Sequence, residues 1–217
     1  MKRVSLIAAI LLPGILAGAA AVATAETART TRSVAAPSPF MRVYGSTPPP
    51  FGFVQFCERV PTECVGSAGN EPRFDAVPMR LSELDEINRR VNRAITPATD
   101  LDVYGVPEYW TLPTDKGDCE DYALLKRQIL MQRGWPASAL LMTVVRDERG
   151  DGHAVLTART QQGDFILDNK VADIRLWHQT GYRFVMRQSF VEPRLWMSLV
   201  PDGADRFGTL TSTPPRR

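Results

Sequence analysis

The chain has 217 residues, 26 basic and 24 acidic side chains, and ordinary apolar and aromatic fractions. That length is enough for one medium domain with a real core. The near-balanced charge argues against a nucleic-acid-binding role.

Lys2 and Arg3 precede a largely apolar run from Val4 to Val22, and Ala23-Thr24-Ala25 supplies small residues after it. This is the pattern of a signal peptide over 1–25, with cleavage near Ala25 and Glu26 the first mature residue. The apolar core is short for a stable membrane span. Cleavage removes Lys2 and Arg3 and leaves 24 bases against 24 acids. Residues 26–45 are rich in Ala, Thr, Ser and Pro without periodicity and read as a flexible leader. The folded domain is expected over 46–205, with a polar, proline-rich, disordered tail over 206–217.

Thr47-Pro48-Pro49-Pro50 is a stiff extended segment. Phe51 to Phe56 alternates aromatics and reads as a short strand or strapped loop. Cys57 and Cys64 lie seven positions apart, and in an oxidising compartment that local pair most simply forms a disulfide around a small loop, the alternative being that Cys119 pairs and one of the other two is free. Cys119 is then the odd thiol, either buried and inert or kept for chemistry. Pro78 precedes a helix, with Ser82 as N-cap, Asp85 three residues later, and Leu84, Ile87, Val91 and Ile95 at helical spacing. It ends by Thr96-Pro97. Ala98 to Gly117 is a long connection carrying Tyr104, Tyr109 and Trp110, placed to wall a cleft.

Gly117-Asp118-Cys119-Glu120-Asp121 then opens a second helix, with Asp118 as N-cap, acids in its first turn and Gly134 as its stop. From Leu140 the period becomes two. Leu140–Val145, His153–Arg159 and the run from Asp164 to Asp168 read as strands, with further strands in Tyr182–Phe190 and Arg194–Val200. Helices followed by an antiparallel meander make the fold α+β. A turn of even length after Arg159 pairs Arg159 with Asp164. It then brings Asp168 opposite Val155, with His153 the diagonal neighbour on the same face.

A cysteine at a helix start sits where free backbone N–H groups favour a thiolate. Attack on a carbonyl also needs an imidazole to move the proton and a carboxylate to orient that imidazole. Cys119, His153 and Asp168 supply those groups in that order. The chain has two histidines, and His178, in a polar and less regular stretch, reads as a surface residue.

The residues Glu108-Tyr109-Trp110, Gly117 to Ala123, Gly152-His153 and Leu167-Asp168-Asn169 resemble the bacterial transglutaminase-like cysteine proteinases, and within them the periplasmic adhesin-releasing, biofilm-dispersing members. The resemblance runs from about Gly52 to Val200. It implies a papain/transglutaminase-like fold with the nucleophile at the N-terminus of a core helix packed on an antiparallel sheet. It also implies a Cys119-His153-Asp168 triad, an exported or surface-anchored protein substrate, periplasmic or secreted localisation, and an inhibitory inner-membrane partner. The chain is expected to be a monomer. The Cys57/Cys64 pair is a departure that bears on the substrate more than on the chemistry.

The resemblance further implies calcium (Ca2+) held by Asp118, Glu120 and Asp121. Three carboxylates around a thiol raise its pKa, and a helix terminus offsets this by only about 0.3–1 kcal/mol. A hard cation bound by oxygens would neutralise them; acids that simply cap the helix and face water are the alternative. The first oxyanion donor is the Cys119 backbone N–H, with Trp110 or Gln55 as candidates for the second. The same triad also serves acyl transfer of transglutaminase or amidase type, and a non-catalytic binding module can keep the fold.

Overall fold

The computed structural model describes residues 36–66 and 73–201. The expected signal peptide over 1–25, the first half of the leader and the 206–217 tail lie outside them.

Strand β1 (Ser46–Thr47) leads into helix α1 (Phe51–Arg59). Phe51 to Phe56 is therefore helical, and the expectation of a strand or strapped loop is corrected. Phe53, Phe56 and Cys57 recur at three- and four-residue spacing and are all buried, which is the helical period of a core-facing stripe. A one-turn 3-10 segment over Pro61–Cys64 follows, and Cys57 is bonded to Cys64.

Helix α2 (Pro78–Ala94) buries Leu84, Ile87 and Val91 along one stripe. Proline starts it, Val77 occupies the N-cap position, and Ser82 lies one turn inside, its hydroxyl donating 3.1 Å to the Pro78 carbonyl. Pro78 at the first position, where the missing N–H costs nothing, outweighs the serine signal. The connection expected between residues 98 and 117 carries structure of its own. Strand β2 (Thr96–Pro97) pairs in parallel with β3 (Lys116–Gly117), and helix α3 (Asp100–Tyr104) lies between them. Thr99 caps α3 by accepting the Asp102 N–H, and Gly105 at φ 73° ends it.

Helix α4 (Cys119–Gln132) is covered on most sides, Tyr122, Ala123, Leu124, Lys126, Arg127 and Leu130 all being buried. Its end is a Schellman turn: the Trp135 N–H reaches the Leu130 carbonyl, the Gly134 N–H reaches Met131, and Gly134 takes φ 87°. Arg127 is neutralised in place. It donates to the Leu140 carbonyl (3.2 Å), the Glu63 carbonyl (3.1 Å) and the Glu63 carboxylate (3.4 Å), tying the disulfide loop to α4.

Strands β4 (Leu140–Arg146), β5 (Gly152–Thr160), β6 (Gly163–Leu167), β7 (Arg175–Leu176), β8 (Arg183–Gln188) and β9 (Trp196–Ser198) complete a seven-stranded sheet of order β1-β9-β8-β4-β5-β6-β7. Every pairing in it is antiparallel. The β5–β6 loop is Gln161-Gln162, and Arg159 pairs with Asp164 and Leu156 with Leu167, the register that an even turn requires. Leu156, Ala158 and Leu167 join the main core with residues of α2 and α4. Val155 and Ile166, of opposite parity, form a second cluster with Phe184 and Met41.

Residues 37–45, part of the segment expected to be a flexible leader, are tied to this sheet. The Met41 N–H donates 2.7 Å to Asp164, Asp164 N–H donates to Pro39, and Tyr44 N–H donates to Ser198. Asp164 is fully buried but is balanced by Arg73 at 2.5 Å and Arg187 at 3.6 Å.

Candidate active site

The start of α4 and the start of β5 meet, and that junction is the site. The Cys119 sulfur accepts the Ala154 N–H at 3.3 Å, so the thiol lies against the residue that follows His153. Cys119 is the free cysteine of the chain and is only partly covered. Together with His153, Asp118, Asn169 and Lys170 it lines a cavity of about 240 Å3. A larger hollow of about 500 Å3, bordered by Phe53, Cys57, Glu58 and Arg194, holds no thiol–imidazole combination.

His153 is buried, and its Nε2 is 2.9 Å from Asp168 Oδ1. That bond leaves Nδ1 as the nitrogen available to a second partner. Asp168 is held from several directions. The Lys170 N–H donates 2.9 Å to Oδ1, the Tyr182 hydroxyl donates 2.6 Å to Oδ2, and Asn92 Nδ2 on α2 donates 2.8 Å to its carbonyl. Burial pushes the Asp168 carboxyl up, but the His153 bond and charge, Tyr182 and the Lys170 N–H outweigh it, and its pKa lies below the usual aspartate value. His178, half-buried and edge-on to Trp177, sits in a separate 3-10 turn.

The electrostatics of the thiol run the other way. Burial pushes the Cys119 pKa well up, the charges of Glu120 and Asp118 add to it, and only the Ala154 N–H opposes them. The thiol itself donates to Glu120 Oε2 at 3.1 Å. Asp118 occupies the N-cap position of α4 without a side-chain capping bond. Its carboxylate instead gathers with those of Asp100 and Glu120, one oxygen from each lying within 4.8 Å of the others. All three are buried.

Asp121, expected as a third acid of this group, lies outside it. Its Oδ1 accepts the Thr111 N–H at 2.8 Å, and its Oδ2, buried without a hydrogen-bond partner, is packed against Gly117, where a Cβ would sit 2.7 Å away. Asp100, from α3, stands there instead. Its Oδ2 accepts the Tyr109 N–H, and its Oδ1 is buried with no partner. Burial, then the Asp118 charge, push Asp100 up to about 6. Burial pushes Asp121 up to about 8, against the Thr111 N–H and with Asp118 and Asp100 adding to it. Such a cluster needs protons or a cation, and an all-oxygen donor set suits a hard divalent ion.

Of the candidate oxyanion donors, Trp110 is fully buried with its indole N–H donating 2.7 Å to Glu108. Gln55 lies on α1 and does not line the cavity. Spacing assigns no site role to Asp100, Asn92 or Tyr182, and Glu108 enters only within the Glu108-Tyr109-Trp110 run. For Asp100 the available signal was Thr99-Asp100-Leu101-Asp102, a capped helix start inside a supposed loop.

A partly exposed thiol at a helix N-terminus, next to a histidine–carboxylate pair on an antiparallel sheet, has the parts of a cysteine peptidase of transglutaminase-like type. The chain belongs to the bacterial transglutaminase-like cysteine proteinases, whose family profile matches residues 43–204. A protein is accordingly its class of substrate. Similar solved structures include Legionella pneumophila LapG, at 22% identity over 67% of this chain and 76% of that one, with a TM-score of 0.46. An EGTA-treated form of LapG matches at 21% identity over 68% and 76%, and a calcium-bound form at 20% over 75% and 84%, both with TM-scores of 0.46. No curated protein sequence gives a significant match. No helix among the described residues is long and apolar enough to cross a membrane.

Proposed function

We propose that this protein is an exported cysteine endopeptidase that cuts a surface or secreted protein, a large adhesin being the leading candidate, with Cys119 as nucleophile, His153 as acid–base and Asp168 as the residue that orients His153. The observation that carries the reading is the 2.9 Å His153–Asp168 bond one residue from the N–H that contacts the Cys119 sulfur. His153, holding its proton on Nε2 toward Asp168, receives the thiol proton on Nδ1. The sulfur attacks the scissile carbonyl, and the oxyanion is met by the Cys119 backbone N–H at the start of α4. The imidazolium protonates the departing amine, leaving an acyl-thioester. A water molecule, deprotonated by the same Nδ1, then releases the acid and restores the thiol.

Calcium fits the donor set. Asp100, Asp118 and Glu120 would hold it, and the unpartnered buried Oδ1 of Asp100 is the kind of oxygen a cation satisfies. When bound, it supplies positive charge that offsets the acids raising the Cys119 pKa. The Cys57–Cys64 bond supports a location outside the cytoplasm, reached after cleavage near Ala25.

The test compares surface and secreted proteins from cells expressing the wild type or Cys119→Ala. One large protein whose N-terminus is shifted only with the wild type is the expected result. Identical profiles, with both proteins present outside the cytoplasm, would remove the peptidase assignment to this site.

A further inference from the structure

Tyr182 lies just before β8, directly after Gly181 at φ 79°. Its hydroxyl donates 2.6 Å to Asp168 Oδ2, and its ring stands edge-on to the His153 imidazole, centroids 5.7 Å apart at 82°. The other carboxylate oxygen, Oδ1, is shared by His153 Nε2 and the Lys170 N–H, each at 2.9 Å. A carboxylate bonded through one oxygen turns easily, because its terminal torsion is broad. Donors at both oxygens fix its plane. The main chain beneath is pinned by Asn92 Nδ2, 2.8 Å from the Asp168 carbonyl. Burial, then the Asp168 charge, hold the ionisation of Tyr182 well above that of an ordinary tyrosine, so the phenol remains a donor.

We propose that Tyr182 is a positioning residue of the catalytic centre: by holding Asp168 Oδ2 it fixes the carboxylate plane, keeps the imidazole proton on Nε2 and leaves Nδ1 for the Cys119 sulfur. This rests on the triad reading above. The bond acts through Asp168, the hydrogen-bond partner of the hydroxyl among the described residues. The ring separately covers one side of the His153–Asp168 bond. Tyr182→Phe keeps that cover and removes only the hydroxyl, which separates the two contributions.

The experiment has two readouts on the full exported chain in calcium-containing buffer. The first is proton NMR of the hydrogen-bonded imidazole N–H. With two histidines in the chain, a His153→Ala control assigns it. The second is the rate of Cys119 alkylation by iodoacetamide at pH 7, measured for wild type, Tyr182→Phe, Asp168→Asn and the double variant. The expected result is a downfield His153 resonance that broadens or disappears in Tyr182→Phe. Alkylation should slow by roughly 10–100-fold, by analogy with the outer partners that orient metal-ligating histidines. In the Asp168→Asn background the same change should add less than about twofold, because contributions through a shared partner do not add. An unaltered resonance and rate in Tyr182→Phe, or an equal further loss in the Asp168→Asn background, overturns the proposal. Failure of the triad reading looks different: His153→Ala would then alkylate at the wild-type rate, while the resonance in Tyr182→Phe still decides whether the hydroxyl orders the His153–Asp168 pair.

Discussion

Removing calcium at two pH values should change the stability of this protein by very different amounts. Asp121, with its carboxyl pushed up to about 8, keeps its proton in the folded chain through pH 7 when no cation is present. The unfolded chain loses that proton near the ordinary aspartate value of 3.8. A carboxyl raised on folding contributes stability that is complete below the unfolded value and is lost as pH rises through the folded one. From pH 5 to 7 this removes ~2.7 kcal/mol at ~1.36 kcal/mol per pH decade. Asp100, pushed up to about 6, removes ~1 kcal/mol more over the same window, and Glu108, pushed by burial up to about 7, removes ~2 kcal/mol. Asp168 has the opposite sign, but its pKa lies below the ordinary value in the folded chain, so between pH 5 and 7 it is ionised in both states and adds no slope. Lys126, lowered by burial to about 7, changes stability mainly above this window. At about 2–4 °C per kcal/mol for a chain of this size, the melting temperature in EGTA should fall by ~12–24 °C between pH 5 and 7. Calcium at about a hundredfold excess over its Kd adds ~2.7 kcal/mol at pH 7, or ~5–10 °C. At pH 5 protons compete for the same oxygens, and the calcium shift should be less than about half as large. Scanning fluorimetry in EGTA and in calcium at both pH values measures all four states. A melting temperature in EGTA that rises from pH 5 to 7, or a calcium shift equal at both, would refute the reasoning.

Other outcomes follow from single contacts. His153→Ala should lower kcat/KM by about 10^2–10^4-fold, read by cleavage of the shifted surface protein once it is identified, and should also lower the melting temperature, because it leaves the buried Asp168 carboxylate without its imidazole partner; an active variant would assign the proton transfer elsewhere. Gly117→Ala places a Cβ 2.7 Å from Asp121 Oδ2 and 2.8 Å from its Cβ, and should destabilise by about 1–3 kcal/mol, measured by urea unfolding; a neutral result would mean that the start of α4 shifts freely. Cys57→Ser, or reduction, opens a bridge between residues seven apart and should cost ~2.5 kcal/mol. Thermal melts with and without reductant check this, and reductant should have no effect on the variant.

The two-residue β5–β6 turn shows why part of this site was legible before any coordinates. A strand has a period of two, so the loop length alone sets whether His153 and Asp168 share a face. Helix α4 was legible for a similar local reason: Asp118, Gly134 and Pro136 mark its ends by backbone preference. Phe51 to Phe56 misled because alternating aromatics fit a strand, while burial of Phe53 against Trp110 and Trp196, with Phe56 and Cys57 buried on the same stripe, selects the helix. Ser82 misled because a capping residue works only if the helix starts there, and Pro78 starts it earlier.

The sequence by itself pointed to the thiol at a helix start and the Cys57–Cys64 pair, and reduced the histidine–aspartate register to the length of one turn, because each depends on spacing along one or two adjoining elements. Only the tertiary structure decided which acids gather beside the sulfur. Asp100 joins them from a helix 19 positions upstream of Cys119, and Asp121 is drawn aside by the Thr111 N–H. Likewise Tyr182 and Asn92 reach Asp168 from separate elements. Hydrogen bonds and carboxylate repulsion act across space, so chain spacing carries no record of these partners until the core has packed.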